Sequence, residues 1–151
     1  MTNAFVAAGA GFLLAVLWFD LMFDVQALRD PEGDLPEPVL ASISTYYARV
    51  TTAARPMNRL IGAVMLATVV AIVVQITAGD APAWAGWTSL ALAAGAIGLA
   101  AARTVPSAVR LGTRADPVAV QSRLARTILR EHIVCLATIA AVLAVQLAAG
   151  R

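Results

Sequence analysis

Nine acidic side chains and one histidine stand in a chain of 151 residues that is 60% apolar. Four of these ten groups occupy positions where charge is costly. Asp20 and Asp24 interrupt an apolar run, Trp18-Phe19-Asp20-Leu21-Met22-Phe23-Asp24. A spacing of four puts both carboxylates on one face of a helix. Glu131 and His132 stand at the head of another apolar run, with Cys135 one turn further on. Ionisable groups at the margin of long apolar segments are expensive, and each marks a candidate functional site.

Three kinds of chemistry suit these groups. The carboxylates of Asp20 and Asp24 can pair with Arg59, Arg103 or Arg130, which lie at matching depth. Alternatively, Asp20, Asp24, Glu131 and His132 can ligate iron, manganese or zinc, since inward carboxylates with an imidazole on bundle helices build such centres. The same four groups can instead act as general acids and bases or relay protons, a role for which imidazole beside carboxylate is suited. Asn58, Arg59 and Arg103 enter or leave their segments at the same level and are candidates for holding a cofactor or substrate. Two features set limits. Glu131 and His132 are adjacent, so on a helix their side chains diverge by about 100°. There is one His and one Cys, which excludes haem held by two His of this chain, a disulfide framework and a multi-cysteine cluster. A thiol inside an apolar run is also a poor nucleophile.

The elements that carry these groups are apolar enough to cross a bilayer, which takes about 20 residues as a helix. Four segments qualify: 4–23, 60–78, 84–102 and 133–149. They lack two-residue alternation and are too long for barrel strands, so helices are expected. With only 13% charged residues, the chain has too little charge to cover a soluble globule of this size. The expected fold is therefore all-α, an integral membrane four-helix bundle in one domain spanning 1–151. A secretory signal is not expected for the first segment, since Met1-Thr2-Asn3 carries no positive side chain and no small-x-small cleavage site follows.

All eleven cationic side chains are Arg. With four spans, ten of them fall on one side of the membrane, and Arg151 alone falls on the other. That asymmetry predicts a plasma (inner) membrane protein with both termini outside and the long connections in the cytoplasm. Both connections are read as helical extensions. The first has a turn-rich stretch, Asp30 to Pro38, followed by a stripe of Val39, Ile43, Tyr46, Tyr47 and Val50 lying against the bundle or the membrane. The second turns at Gly112–Asp116, with Asp116 as N-cap and Pro117 opening a helix that runs to Ala149. Arg123, Arg126 and Arg130 form a basic stripe expected to meet anionic lipid headgroups. Pro106 is expected to kink its helix. Gly9, Gly11, Ala91, Ala94, Gly95 and Gly98 offer close helix packing, within the chain or in a homo-oligomer. No nucleic-acid partner is expected.

Several of these features together resemble the anthrone oxygenase-like family of small four-helix bacterial membrane proteins. The likeness rests on an aromatic, polar-interrupted end to the first span (Gly11 to Val25) and on Pro56-Met57-Asn58 at the start of the second. It also rests on Thr104-Val105-Pro106 after the third and Arg130-Glu131-His132-Ile133 at the start of the fourth. Ser107-Ala108 after Pro106 and Val134-Cys135 after Ile133 depart from that family's pattern of Pro-x-Asn and of an Arg soon after the His. The resemblance implies a lipophilic substrate reached from the bilayer and oxidised at its inner boundary. Two other classes fit the residues alone: a non-enzymatic accessory or scaffold subunit, and a small oligomeric transporter or channel.

Overall fold

The computed structural model describes residues 2–30, 33–53 and 55–150. It is helical, with no strand among the described residues. In chain order, α1 is Thr2–Asp24, with a 3-10 turn at Val25–Leu28. Next come α2 (Glu37–Tyr47), a π-helical segment (Ala48–Ala53), α3 (Arg55–Ala78), α4 (Ala83–Leu99) and a second π-helical segment (Ala100–Thr104). The chain ends with α5 (Val105–Thr113) and α6 (Val118–Ala149). Four stretches are long and apolar enough to cross a membrane: Thr2–Leu28, Pro56–Ala78, Ala83–Thr113 and Val118–Ala149. Each is longer than its apolar run alone, because the helices continue past the polar residues at their inner ends.

The four long helices close a ring in which α1 packs on α6 and α3, and α4 packs on α6 and α3. Their shared core holds Val6, Leu13, Ile72, Ala93, Ala96, Cys135, Ile139 and Val142. Large apolar side chains also face outward, among them Phe5, Trp18, Leu66, Trp84, Trp87, Val134 and Leu147. Such a belt is compatible with lipid contact. Glycine matters where elements approach closely: a Cβ at Gly9 would strike the Thr68 side chain of α3, and one at Gly112 would meet the Ala48 backbone. Gly11, Gly95 and Gly98 have open space where a Cβ would stand, so these expected contacts are not made within the chain.

A second core forms a cap at the inner end. Leu35, Val39, Leu40, Ile43 and Tyr47 meet Ala108 and Leu111 of α5 and Ala125, Ile128 and Leu129 of α6. The stripe of α2 thus packs on protein, not on the membrane. The loop before it is tied down by Leu35 N–H donating to Ser122 Oγ at 2.9 Å. Two expectations are corrected here. Asp116 does not cap α6, which starts behind Pro117 with no side-chain cap. It accepts two hydrogen bonds from Arg110 instead, at 2.8 and 2.7 Å, and these hold its carboxyl below the ordinary Asp range. The basic stripe is divided as well. Arg126 turns inward to the carbonyls of Asp30 and Gly33, while Arg123 and Arg130 stay exposed.

Pro56 and Pro106 each follow a π-helical segment closely. Proline lacks the N–H that an α-helical ladder needs and its ring crowds the preceding turn. A wider turn ahead of it absorbs both defects, so α4 continues into α5 through Ala100–Thr104 instead of breaking.

The outer end holds a buried amide layer. Gln75 of α3 and Gln146 of α6 exchange hydrogen bonds at 2.9 and 3.1 Å. Gln146 also donates to Ser89 Oγ of α4 at 2.8 Å, and Gln75 to Asn3 Oδ1 of α1. Both amide N–H groups of Gln75 and of Gln146 are used, and all four long helices are joined. Gln146→Leu strands the Gln75 amide and is expected to destabilise the protein by about 1–2 kcal/mol. The Gln75→Leu/Gln146→Leu double variant is expected to recover part of that loss. Denaturation in bilayer discs measures it; a double variant less stable than the sum of the singles contradicts the pairing.

Candidate functional site

Between the bundle core and the cap lies a layer of polar side chains, each set there by its helix. Asp20 and Asp24 are one turn apart on α1. Tyr46 and Tyr47, the only Tyr of the chain, close the C-terminal end of α2. His132 lies where α6 leaves the cap and enters the bundle. Asp24 is fully buried, and His132 is 7% exposed.

The geometry centres on the imidazole. His132 Nδ1 lies 2.6 Å from Asp24 Oδ2. Asp24 Oδ1 accepts from the Tyr47 hydroxyl at 2.5 Å. Asp20 Oδ1 accepts from the Tyr46 hydroxyl at 2.6 Å, and Asp20 Oδ2 stands 3.9 Å from His132 Nε2. Tyr46 is held flat against Phe23, ring centroids 4.0 Å apart. Burial, and then the hydrogen bond to Asp20, push the Tyr46 hydroxyl far above the ordinary Tyr range. Burial and the Asp24 charge do the same to Tyr47. Both hydroxyls therefore stay protonated donors, one to each carboxylate. Asp24, as the acceptor at Nδ1, fixes that nitrogen as the protonated one and leaves Nε2 as the working edge of the ring.

That edge faces a cavity of about 490 Å³. Asp20, Tyr46, Tyr47, Asn58, Thr104 and His132 supply its polar rim, while Phe12, Leu17, Ile61, Met65, Ala96 and Ile139 are among the apolar residues that line the rest. Phe19, Met57 and Val105 line it and are also largely exposed, at 61%, 50% and 47%. These three mark its mouth: Phe19 and Met57 lie on the long helices α1 and α3, and Val105 stands where the α4 stretch passes into α5.

The structure brings three of the four expected groups together and separates the fourth. Glu131 points away from His132, as their adjacency requires. Its Oε2 accepts from Thr104 Oγ1 at 2.9 Å, and its Oε1 lies 3.0 Å from Arg103 Nε, misaligned for a hydrogen bond. The four-ligand metal set of Asp20, Asp24, Glu131 and His132 is therefore not assembled. Among the described residues no three His, Cys, Asp or Glu side chains are placed to hold a metal ion. The expected pairing of Asp20 and Asp24 with Arg is also corrected, because Tyr and His are their partners. Arg103, largely exposed, serves Glu131. Arg59 is exposed and forms no ion pair among the described residues. Asn58 reaches the cavity rim while donating to the Thr51 carbonyl at 3.2 Å.

Sequence reasoning treated Tyr46 and Tyr47 as packing residues and did not single out Thr104 as a partner of Glu131. A signal for the tyrosines was present: two adjacent phenols, in a chain with no others, on the connecting helix that follows Asp20 and Asp24.

Because His132 is the only His, ¹⁵N-histidine labelling reports on it alone. The ring is expected to keep Nδ1 protonated through the whole titration, with Nε2 the nitrogen that exchanges its proton. Asp24→Asn is expected to abolish that bias. A neutral form protonated at Nε2 in the parent protein contradicts the geometry.

No family model, curated protein or solved structure matches the chain. Its function is read from the arrangement itself: an imidazole backed by a buried carboxylate at the polar end of an apolar cavity.

Proposed function

We propose that this chain is a multi-pass membrane protein that admits a lipophilic molecule from the bilayer and performs acid–base chemistry on it at His132. The observation that carries this reading is the buried Asp24–His132 pair, 2.6 Å apart, whose free ring edge borders an apolar cavity. A carboxylate at one ring nitrogen keeps the other available as base and stabilises the imidazolium that forms. Apolar walls keep water from competing for the proton. Asp20 lies opposite, as acceptor or donor in the next transfer. Asp24, Tyr46 and Tyr47 are positioning residues that hold Asp20 and the ring in place.

The rim residues support entry from the lipid side, since Phe19, Met57 and Val105 belong to helices suited to the hydrocarbon layer. The resemblance to anthrone oxygenase-like proteins accords with a lipophilic substrate. A metal-dependent oxidation gains no support from the side chains present, because Glu131 is committed to Arg103 and Thr104. The exposed Arg123 and Arg130 suit contact with anionic headgroups at the inner surface.

Solvent deuterium uptake at the α-carbons of 1-hydroxy-2-dodecanone, which carries both a hydroxyl and an acidic C–H, tests the acid–base reading. Nε2 takes the α-proton, the C–H electron pair moves into the carbonyl as enolate, and a solvent-derived deuteron returns to carbon. In bilayer discs the parent protein is expected to accelerate exchange, and His132→Gln to lower the rate by about 10²-fold or more. Glu131→Gln is expected to stay within about twofold, because it lies outside the cavity. Exchange independent of His132 overturns the reading.

Orientation follows from the Arg asymmetry. Reporter fusions at Gly112 and after Arg151 are expected to report cytoplasm and exterior, respectively. A cytoplasmic signal from the second reverses the topology.

A further inference from the structure

The two atoms that flank the cavity's polar end have unused hydrogen-bonding capacity. His132 Nδ1 is committed to Asp24 and Asp20 Oδ1 to Tyr46. His132 Nε2 and Asp20 Oδ2 face each other at 3.9 Å, within ion-pair reach but beyond a hydrogen bond. Neither has a hydrogen-bond partner among the described residues. Both side chains are largely enclosed, 9% and 17% accessible, and the space left to them is the cavity that both line. An oxygen about 2.8 Å from each atom, an ordinary hydrogen-bond distance, closes a triangle on that 3.9 Å base.

The chemistry of the missing group follows from counting protons. Let Nε2 and Oδ2 share one proton. Whichever atom holds it, the gap then presents one donor and one acceptor. A hydroxyl accepts from the first and donates to the second. An ether or ketone oxygen only accepts and leaves one partner unserved. An ammonium only donates. A carboxylate only accepts, and it brings a third negative group beside Asp20 and Asp24.

The shape of the cavity supplies the rest of the ligand. On α1 its lining runs from Phe12 to Asp20 and Phe23, eleven helical steps or about 16 Å. Apart from this polar end, the wall along α1 is apolar: Phe12, Leu13, Ala15, Val16, Leu17 and Phe19. A molecule with its polar group at the His132 end therefore lays an apolar body towards the middle of the bundle.

We infer that the molecule taken up is a lipophilic alcohol, its hydroxyl seated between His132 Nε2 and Asp20 Oδ2 and its apolar body lying along α1. This rests on the reading of the cavity as a lipophile site and adds the class of molecule. The hydroxyl closes a chain from Asp24 through the imidazole to Asp20, along which one proton can pass without a net change in charge.

Competition binding tests it. The full chain in discs of phosphatidylethanolamine and phosphatidylglycerol is loaded with radiolabelled 1-dodecanol, then challenged with unlabelled 1-dodecanol, dodecyl methyl ether or dodecanoic acid. Saturable binding is expected, with ether and acid each weaker competitors by about tenfold or more, the worth of one to two hydrogen bonds. The Asp20→Leu/Tyr46→Phe double variant removes Oδ2 without stranding the phenol. It is expected to cut the preference for alcohol over ether to below about twofold, with ether affinity retained, by loss of those same bonds. Ether and alcohol competing equally in the parent protein overturns the hydroxyl assignment while leaving the lipophile site standing. A double variant that keeps the full preference overturns it too. No saturable binding of either compound overturns both readings. Should the double variant fail to fold, the parent protein's ranking of the three competitors decides alone.

Discussion

Burying the Asp24 carboxylate without an arginine is the constraint on which the lower half of this protein depends. A lone carboxylate in an apolar surrounding is costly enough that it either finds donors or gives up its charge. Asp24 has no solvent exposure, and its donors come from two elements far away in sequence: Tyr47 on α2 and His132 on α6. Satisfying one side chain thus fixes where α2 ends and how α6 is rotated. The cap, with its own apolar core, holds α2 at the angle these bonds need.

The two polar layers of the bundle treat their hydrogen bonds differently. At the end opposite the cap Gln75, Gln146, Ser89 and Asn3 are neutral, and the amide donors of both Gln are all used. That layer fixes helix register and offers nothing to a ligand. At the inner end the groups are ionisable, and one edge of His132 faces one edge of Asp20 across a gap. Rigid saturation at one end and reserved capacity at the other suits a site that must be positioned yet remain reactive. It also explains why the cavity opens near the inner layer, where α1 and α3 frame it with Phe19 and Met57 and not with tightly packed small residues as at Gly9 and Thr68.

Much of this was legible in the chain, because rise per residue converts sequence position into depth. Counting along the apolar runs puts Asp20, Asp24 and His132 at one level, and the i, i+4 spacing turns the two acids the same way. The same geometry also said that neighbours on a helix diverge, which is why Glu131 belongs to Arg103 and not to the site. Arg partners for the acids looked natural on charge alone. Long Arg side chains at the membrane boundary reach water instead, and the buried carboxylates take nearby phenols. The π-helical segments before Pro56 and Pro106 leave no mark on apolar periodicity. Gln75 and Gln146, solitary amides inside apolar runs, could be paired only once the helices were known to be neighbours across the ring.

The order of elements along the chain has a consequence for biogenesis. Asp24 lies on α1 and His132 on α6, 108 residues further along the chain, so the acid is made well before its imidazole. Through most of synthesis the acid is a membrane-boundary carboxylate waiting for its imidazole, and the cavity wall is incomplete. A nascent or truncated chain therefore exposes an uncompensated acidic group that the finished protein conceals. That difference separates assembled from unassembled molecules by a single side chain.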